Sequence, residues 1–206
     1  MTQATLLRIH PENPQQRMIS RVVEVLHKGG IIAHPTDTTY ALGAHLNNKQ
    51  GIEQLYRMKR KAINRPLSLL CADLSLISEY AQVDDRAYRI MRRLLPGPYT
   101  FILPATKNAP RITQTPRKEV GLRCPADNII RAIIDELGVP MVSTSCATPD
   151  GELLADPQDI MDIFGHQLDI VIDGGYIYPE PSTILDFTSG RPEVVREGKG
   201  SADFEF

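Results

Sequence analysis

The stretch from residue 29 to residue 43 places several hydroxyls, a carboxylate and a phenol directly behind a short apolar run. It reads GGIIAHPTDTTYALG, and Thr36 and Thr38 flank Asp37 within it. Threonine and aspartate side chains often bond their own backbone in turns. The same groups can also form the floor of a site that binds a small polar ligand. The stretch alone leaves both interpretations open.

Further hydroxyls and cations occur where other predicted strands begin or end. They are Arg123, the run Ser143 to Ser145, the pair Ser182 and Thr183, and Arg196. In a sheet covered on both faces, side chains at one edge converge on a crevice where ligands usually bind. Lys59 lies seven residues after Ile52 on the same helix face, so we expect its cation to point at that crevice. Strand caps and turns are the alternative for each residue taken alone.

Covalent and metal chemistry have little support in the sequence. It contains no P-loop, no dinucleotide-binding glycine fingerprint and no His-Glu-x-x-His motif. The five histidines show no metal-ligand spacing, so no metal site is predicted. Cys146 could be a nucleophile, but no base adjoins it in sequence, and a small buried thiol is the simpler interpretation. The run Ser143 to Ser145 is not a nucleophile elbow.

Length and composition indicate one ordinary globular domain. The chain has 206 residues, of which 42% are hydrophobic and 23% charged. No apolar run approaches the length of a membrane span, and the first residues lack the pattern of a signal peptide. The three cysteines form no CxxC pair, which favours a reducing compartment. We therefore expect a cytoplasmic protein without a membrane partner.

Apolar periodicity predicts helices alternating with strands. Helices are predicted around 19–28, 48–58, 74–81, 84–95, 127–137 and 157–164, with Asp127 and Asp156 as caps. Strands are predicted at 31–34, 67–71, 99–103, 120–124, 139–143, 168–172, 183–187 and 193–196. No repeat or interdomain linker interrupts this order. The pattern predicts a single α/β (α+β mixed) domain with a mixed sheet.

Positive charge is clustered although the net charge is only −2. One cluster holds Arg57, Lys59, Arg60, Lys61 and Arg65, and a second holds Arg86, Arg89, Arg92 and Arg93. A basic surface on a nearly neutral protein fits a phosphate-bearing small molecule or an RNA backbone. A solvated helix end is the other interpretation of such a run.

Eight ordered motifs resemble the YrdC family of threonylcarbamoyl-AMP synthases. They are PTDTTY with LG (35–43), Lys59 with RPL (65–67), LPGPYT (95–100), VGLR (120–123), STS (143–145), DGG (173–175), STI (182–184) and REG (196–198). The resemblance runs from about residue 12 to residue 200. It implies a domain over 12–200, with residues 1–11 and 201–206 as terminal extensions.

The resemblance also implies a fold and a reaction. The fold would be a twisted, open mixed β-sheet flanked by helices, with a concave basic surface that binds nucleotide and double-stranded RNA. The reaction would join L-threonine, bicarbonate and ATP into threonylcarbamoyl-adenylate and release pyrophosphate, in the pathway that modifies tRNA. ATP would be a substrate, and Mg²⁺ would assist.

Site residues follow by matching motifs. The resemblance assigns Thr36, Thr38, Arg123, Ser145 and Ser182 to threonine, with Arg123 forking onto its carboxylate. It assigns Lys59, Lys61, Arg65, Ser143 and Arg196 to the nucleotide, and catalysis to Lys59, Ser145 and Arg196. The basic residues expected to bind RNA are Arg57, Arg60, Arg65, Arg92 and Arg93.

Three positions depart from the family pattern, all on the side that would hold ATP. Lys61 replaces an arginine, Ala147 replaces an asparagine, and Leu70 occupies a position that is often polar. Each lost hydrogen bond to a charged group is worth roughly 1.5–3 kcal/mol. Two functions therefore remain: a synthase-like enzyme, weak or with a shifted substrate, and a non-catalytic module that binds double-stranded RNA or nucleotide.

Overall fold

A computed structural model describes residues 3–59, 67–189 and 191–203. In chain order the elements are β1 (Thr5–Arg8), α1 (Gln16–His27), β2 (Ile31–His34), β3 (Ala41–His45), α2 (Lys49–Met58), β4 (Ser68–Leu70), α3 (Leu74–Tyr80), α4 (Asp85–Leu94), β5 (Tyr99–Pro104), β6 (Glu119–Arg123), α5 (Asn128–Leu137), β7 (Met141–Ser145), α6 (Pro157–Phe164), β8 (Ile170–Asp173), β9 (Thr183–Asp186) and β10 (Glu193–Arg196). A short 3-10 helix, Arg111–Thr113, precedes β6.

The predicted helix caps are confirmed. The Asp127 carboxylate accepts a hydrogen bond from the Ile130 amide at the start of α5, and Gly138 ends that helix with a φ of 70°. Asp156 caps α6 in the same way, and Pro157 occupies the first turn. Aspartate accepts from the free amides of a first helical turn, while glycine tolerates the left-handed conformation at the end.

The ten strands of the described chain form one mixed sheet in the order β1-β8-β2-β3-β7-β4-β6-β5-β9-β10. Strands β1 and β8, β2 and β8, β4 and β6, and β5 and β9 are parallel. The other neighbours are antiparallel. The predicted fold class, one α/β domain with an open mixed sheet flanked by helices, is confirmed.

Two strands of the structure were not predicted from the sequence. Strand β1 pairs in parallel with β8, and Leu7 is buried within it. Residues 5–8, which lie within the segment 1–11 expected as a terminal extension, thus form an edge strand of the sheet. Strand β3 lies between β2 and β7 near the middle of the sheet. The sequence analysis treated its residues only as part of the motif after β2.

Helices cover the two faces of the sheet unequally. Buried side chains of α1 and α5 pack on one face, against Ile32, Leu70 and Met141. Those of α2, α3, α4 and α6 pack with the residues of the opposite face, such as Leu42 and Leu122. Side chains alternate along a strand, so residues two positions before or after these contact residues lie on the same face of the sheet.

At those positions the side chains become very small. Gly43 pairs with Ser143, Ser143 with Ser68, and Ser68 with Gly121, so the four form one row across β3, β7, β4 and β6. We call these four residues the small-residue row. A row of glycines and serines leaves space that larger side chains would fill.

Candidate functional site

A cavity of about 230 Å³ is lined by Ser68 and Ser143, the two serines of the small-residue row. Its described lining is rich in hydroxyls and comprises Thr38, Thr39, Ala41, Leu67, Ser68, Leu70, Thr100, Arg123, Ser143, Thr144, Ser145, Leu153, Pro181, Ser182, Ile184 and Arg196. The lining comes from seven strands and the loops beside them. The polar residues predicted at strand ends therefore largely converge, as expected.

The turn after β2 divides its residues between structure and site. Thr36 accepts hydrogen bonds from the amides of Thr38 and Thr39, and its hydroxyl donates to the Thr39 carbonyl at 2.6 Å. Thr36 is buried and does not line the cavity. It shapes the turn, and this shape directs the hydroxyl of Thr38 toward Arg123.

Tyr40 anchors the segment that follows β8. Its hydroxyl donates to the Gly175 carbonyl at 2.7 Å and accepts from the Gly174 amide at 3.1 Å. The amide of Glu180 in turn donates to the Thr38 carbonyl. The turn after β2 therefore positions the chain that leads to Pro181 and Ser182 at the cavity. Turn chemistry accounts for Thr36, whereas Thr38 and Thr39 line the cavity, and their role as a ligand floor stays a prediction.

Arg123 lies on the floor of the cavity with two of its hydrogens already engaged. Its Nη2 donates to Asp37 Oδ1 at 2.9 Å and to Thr38 Oγ1 at 2.8 Å. Its Nε is buried and has no partner within the described chain. Both bidentate forks of an arginine use Nη2, one with Nε and the other with Nη1. The expected fork onto a carboxylate therefore requires Asp37 or Thr38 to release Nη2.

The charge of Arg123 is balanced by Asp37. The two side chains are only 11% and 10% exposed, and Asp37 Oδ2 also accepts from the Ala126 amide at 3.0 Å. Burial lowers the pKa of Arg123, Asp37 opposes this effect, and the nearby Arg196 adds to it. The guanidinium remains charged, because an arginine side chain in a protein is effectively always protonated. Asp37 thus holds the cation in place and offsets its charge.

Arg196 lies at the rim, on the edge strand β10. Its Nε and Nη2 donate to the Ser182 carbonyl at 3.1 and 2.7 Å, and Nη2 also reaches Ser182 Oγ at 3.2 Å. Ser182 Oγ shares a further hydrogen bond of 2.8 Å with Thr100 Oγ1. No acidic side chain pairs with Arg196 in the described residues. Its charge is therefore available to an anion at the cavity mouth.

Ser143 is joined to a buried histidine on the same face of the sheet. His34 is fully buried, its Nδ1 lies 2.9 Å from the Pro35 carbonyl oxygen, and its Nε2 lies 3.3 Å from Ser143 Oγ. Burial lowers the pKa of His34 to about 4, and Arg123 contributes to the shift. The imidazole is therefore neutral near pH 7.

Only some of the predicted site residues line the cavity. Thr38, Arg123, Ser143, Ser145, Ser182 and Arg196 line it, whereas Thr36 and Lys59 do not. Lys59 caps the C-terminus of α2, is half-buried, and has a pKa lowered by burial. Helix α2 packs with the opposite face of the sheet. Arg60, Lys61 and Arg65 lie outside the described residues.

The remaining basic residues predicted to bind RNA are exposed on two helices. Arg57 lies on α2, and Arg92 and Arg93 lie on the last turn of α4. Their helices belong to the layer that packs with Leu42 and Leu122. They are therefore not part of the cavity lining.

Cys146 does not have the environment of a nucleophile. It is fully buried, and burial raises its pKa to about 12, which the nearby Lys59 only partly offsets. A reactive cysteine needs an accessible thiolate. The interpretation of Cys146 as a small buried thiol fits these observations.

Several cavity residues escaped the sequence analysis. Ser68 and Thr100 each place a hydroxyl in an otherwise apolar strand, LSLL and YTFIL. A single polar residue among apolar neighbours was the available signal. Asp37 and His34 contact the lining residues Arg123 and Ser143 without lining the cavity themselves. Their only sequence signal was that they lie close to Thr36 in the chain.

A protein-family comparison assigns most of the chain. The model of the Sua5, YciO and YrdC proteins, described as "Telomere recombination", matches residues 24–198. The chain belongs to the Sua5/YciO/YrdC family.

Relatives in this family cover nearly the full chain. "Uncharacterized protein YciO" from Escherichia coli K12 is 44% identical over 194 residues, which are 93% of this chain and 94% of that protein. A Methanocaldococcus jannaschii protein named "Putative threonylcarbamoyl-AMP synthase" is 33% identical over 199 residues, covering 94% and 92%.

Solved structures of the Sua5/YciO/YrdC family share the fold. The E. coli YciO crystal structure superposes with a TM-score of 0.93 at 42% identity and covers 96% of this chain and 97% of that chain. The structure of P. abyssi Sua5 complexed with L-threonine gives 0.88 at 23% identity, over 95% of this chain and 58% of that chain. At that identity the likeness to Sua5 concerns the fold.

Proposed function

We propose that this family member is a threonylcarbamoyl-AMP synthase-like enzyme, slow or with a shifted amino-acid substrate. It would join L-threonine, bicarbonate and ATP into an adenylate and release pyrophosphate. The observation that carries the proposal is the cavity itself, which combines Arg123 on its floor and Arg196 at its rim with a lining of hydroxyls. The names of the M. jannaschii relative and of the threonine-bound P. abyssi Sua5 point the same way.

The amino acid would occupy the floor of the cavity. A volume of about 230 Å³ is below the roughly 300–1,000 Å³ of typical small-molecule sites. It suits an amino acid better than a whole nucleotide. Arg123 would donate to the carboxylate through Nη1 and, once Thr38 turned away, through Nη2 as the second arm of the fork. The hydroxyls of Ser145 and Ser182 would bond the remaining polar groups.

ATP would lie at the cavity mouth beside Arg196. The amine of threonine and bicarbonate would give a carbamate with loss of water. A carbamate oxygen would then attack the α-phosphorus, and the bond from that phosphorus to the bridging oxygen of pyrophosphate would break. Two anions meet in this step, so a cation that faces them contributes mainly charge neutralisation and positioning. Arg196 is the described residue placed for that role.

Mg²⁺ would enter as part of the nucleotide substrate. No carboxylate lines the cavity among the described residues, and the Asp37 carboxylate is engaged with Arg123 and Ala126. Magnesium is usually held by one or two carboxylates together with substrate phosphates. Here the phosphates of ATP would be its principal ligands.

The proposal is tested by pyrophosphate release from ATP. The assay contains bicarbonate and Mg²⁺ and supplies the twenty amino acids one at a time, with a reaction lacking bicarbonate as the control. We expect release that requires bicarbonate and is fastest with threonine or a close analogue. Arg196→Ala should reduce that rate and leave the protein folded, because its side chain is exposed. Pyrophosphate release that no amino acid stimulates would contradict an adenylate-forming enzyme.

A further inference from the structure

The pair formed by His34 and Ser143 determines which hydrogen-bonding group the cavity can accept at that point. Pro35 offers His34 only a carbonyl oxygen, so Nδ1 at 2.9 Å must carry a hydrogen and donate. In a neutral imidazole the other nitrogen is then an acceptor. Nε2 lies 3.3 Å from Ser143 Oγ, and the only hydrogen that can bridge them is that of the serine hydroxyl.

We propose that His34 holds the hydroxyl proton of Ser143, so that Ser143 offers only lone pairs to the cavity and receives an N–H or O–H of the bound amino acid. This inference rests on the proposed function and deepens it. The ionised oxygens of a phosphate or carboxylate carry no hydrogen and can only accept a hydrogen bond. Ser143 is thereby reassigned from the nucleotide, where we first placed it, to the amine or hydroxyl of threonine.

The surroundings keep His34 in this state. The ring is fully buried, and a hydrogen atom on both nitrogens would place a second positive charge near Arg123. Burial of an unpaired charge is costly. The neutral form, with its pKa lowered to about 4, is thus the form present in the range where enzymes of neutral compartments work.

The fold also reserves space for the ring. A Cβ on Gly43 would lie 3.2 Å from His34 Cδ2 and 2.7 Å from Met141 Cε. The absence of a side chain at Gly43 lets the imidazole lie over that glycine, on the same face of the sheet, and reach Ser143. His34 is a positioning residue because it acts on a ligand only through Ser143.

The imidazole tautomer tests the first half of the inference without any ligand. Nitrogen chemical shifts of ¹⁵N-histidine-labelled protein distinguish a protonated from an unprotonated ring nitrogen, and His34→Phe identifies the signal. We expect protonated Nδ1 and unprotonated Nε2 from pH 8 down to pH 6. A proton on Nε2 would overturn the proposal, whatever the binding measurements give.

Binding of two simple probes tests the second half. L-threonine carries N–H and O–H donors, whereas inorganic triphosphate offers essentially acceptors. Ser143→Ala should weaken threonine binding by about tenfold and leave triphosphate binding within about twofold. Ser68→Ala is the matched control, since Ser68 faces Ser143 in register but makes no hydrogen bond to a histidine of the described residues. Ser68→Ala should not weaken threonine binding selectively while triphosphate binding stays unchanged.

Each other outcome of the titration has its own meaning. Loss of triphosphate binding in Ser143→Ala with threonine unaffected, or equal loss of both, would overturn the inference and leave the proposed function standing. Wild-type protein that binds neither probe would remove the proposed function, and with it the amino-acid half of the inference.

A double substitution separates positioning from general damage. His34→Phe should weaken threonine binding in the wild-type background and have no further effect on it in Ser143→Ala. A residue that merely supported the fold would weaken binding in both backgrounds. Equal effects in the two backgrounds would therefore contradict the role assigned to His34.

Discussion

Gly43 and Ser143 face each other across strands β3 and β7. Ser143 lines the cavity with the smallest hydroxyl side chain, whereas Gly43 is not among the described lining residues. Met141 and His34, on the strands that flank β3, fill the space that a side chain on Gly43 would need. Strand register therefore gives this space to the imidazole that contacts Ser143.

Gly43→Ala should destabilise the protein by about 1–3 kcal/mol, because overpacking forces neighbours out of their rotamers. The new methyl would lie 2.7 Å from Met141 Cε and 3.2 Å from His34 Cδ2. Gly121→Ala is the control in the same row, where the nearest atom is Ser68 Oγ at 3.4 Å. Its effect should stay within about 0.5 kcal/mol. Urea denaturation of both variants measures the difference, and equal losses would contradict it.

Arg123→Ala should destabilise the fold as well as impair binding. Breaking a buried ion pair costs about 3–5 kcal/mol when one charge stays behind, and both side chains here are nearly buried. The double variant Asp37→Ala, Arg123→Ala should lose less than the sum of the single losses, with a coupling between about 0.5 and 3 kcal/mol. A denaturation cycle of the four proteins gives this coupling. Strict additivity would show that the pair is not coupled.

The stability of the folded chain should fall between pH 6.5 and pH 4 through His34. The unfolded chain binds a proton at this residue below pH 6.5, whereas the folded chain resists it down to a pKa of about 4. Stability from the neutral ring is thus complete above pH 6.5 and is lost as the pH falls, up to about 3 kcal/mol. The pH slopes of wild type and His34→Phe, compared by urea denaturation, isolate this contribution. Parallel slopes would rule it out.

Restoring the family asparagine at position 147 should cost stability. Ala147 is 4% exposed and forms a bridge with Leu153, which lines the cavity. A larger polar side chain there should destabilise by about 1–3 kcal/mol. Asp150→Asn, exposed in the same hairpin, is the matched control and should change little. A stable Ala147→Asn variant with faster pyrophosphate release would show instead that Ala147 limits the reaction.

Binding of double-stranded RNA, the alternative function, should depend on the outer helices. Arg92→Glu with Arg93→Glu should weaken it and flatten its salt dependence by just under one unit for each lost phosphate contact. Stabilisation by threonine should not change, since α4 packs with the opposite face from the cavity. Titrations of equal-length duplexes at several salt concentrations test this. Strong preference for one sequence would contradict backbone recognition.

The sequence predicted the helices better than the strands. Caps such as Asp127 act within a few residues, so their signal is local. Strand β3 carried no such signal, since Gly43 interrupts a short apolar segment and glycine is unfavourable in strands. Strand β1 is a four-residue edge strand, too short for a periodic pattern.

Lys59 shows where periodicity reaches its limit. Its spacing from Ile52 correctly placed both near the inward side of α2, and both are at least partly buried. Periodicity identifies the face of a helix that packs but does not tell which face of the sheet receives it. The small-residue row was equally beyond the sequence, because it depends on which strands pair and in what register.

The strand order also has a consequence for how the protein folds during synthesis. Thr5 pairs with Ile170, and β7, made late, inserts between β3 and β4, which are made early. Such distant pairings slow folding, because the chain loses entropy before the contacts form. A nascent chain therefore exposes the unpaired edges of β2, β3 and β4 until its second half emerges from the ribosome. Since Arg196 ends β10, the last strand of the described residues, a ligand held by it would bind only after β10 has been made and would stabilise the native state from that point on.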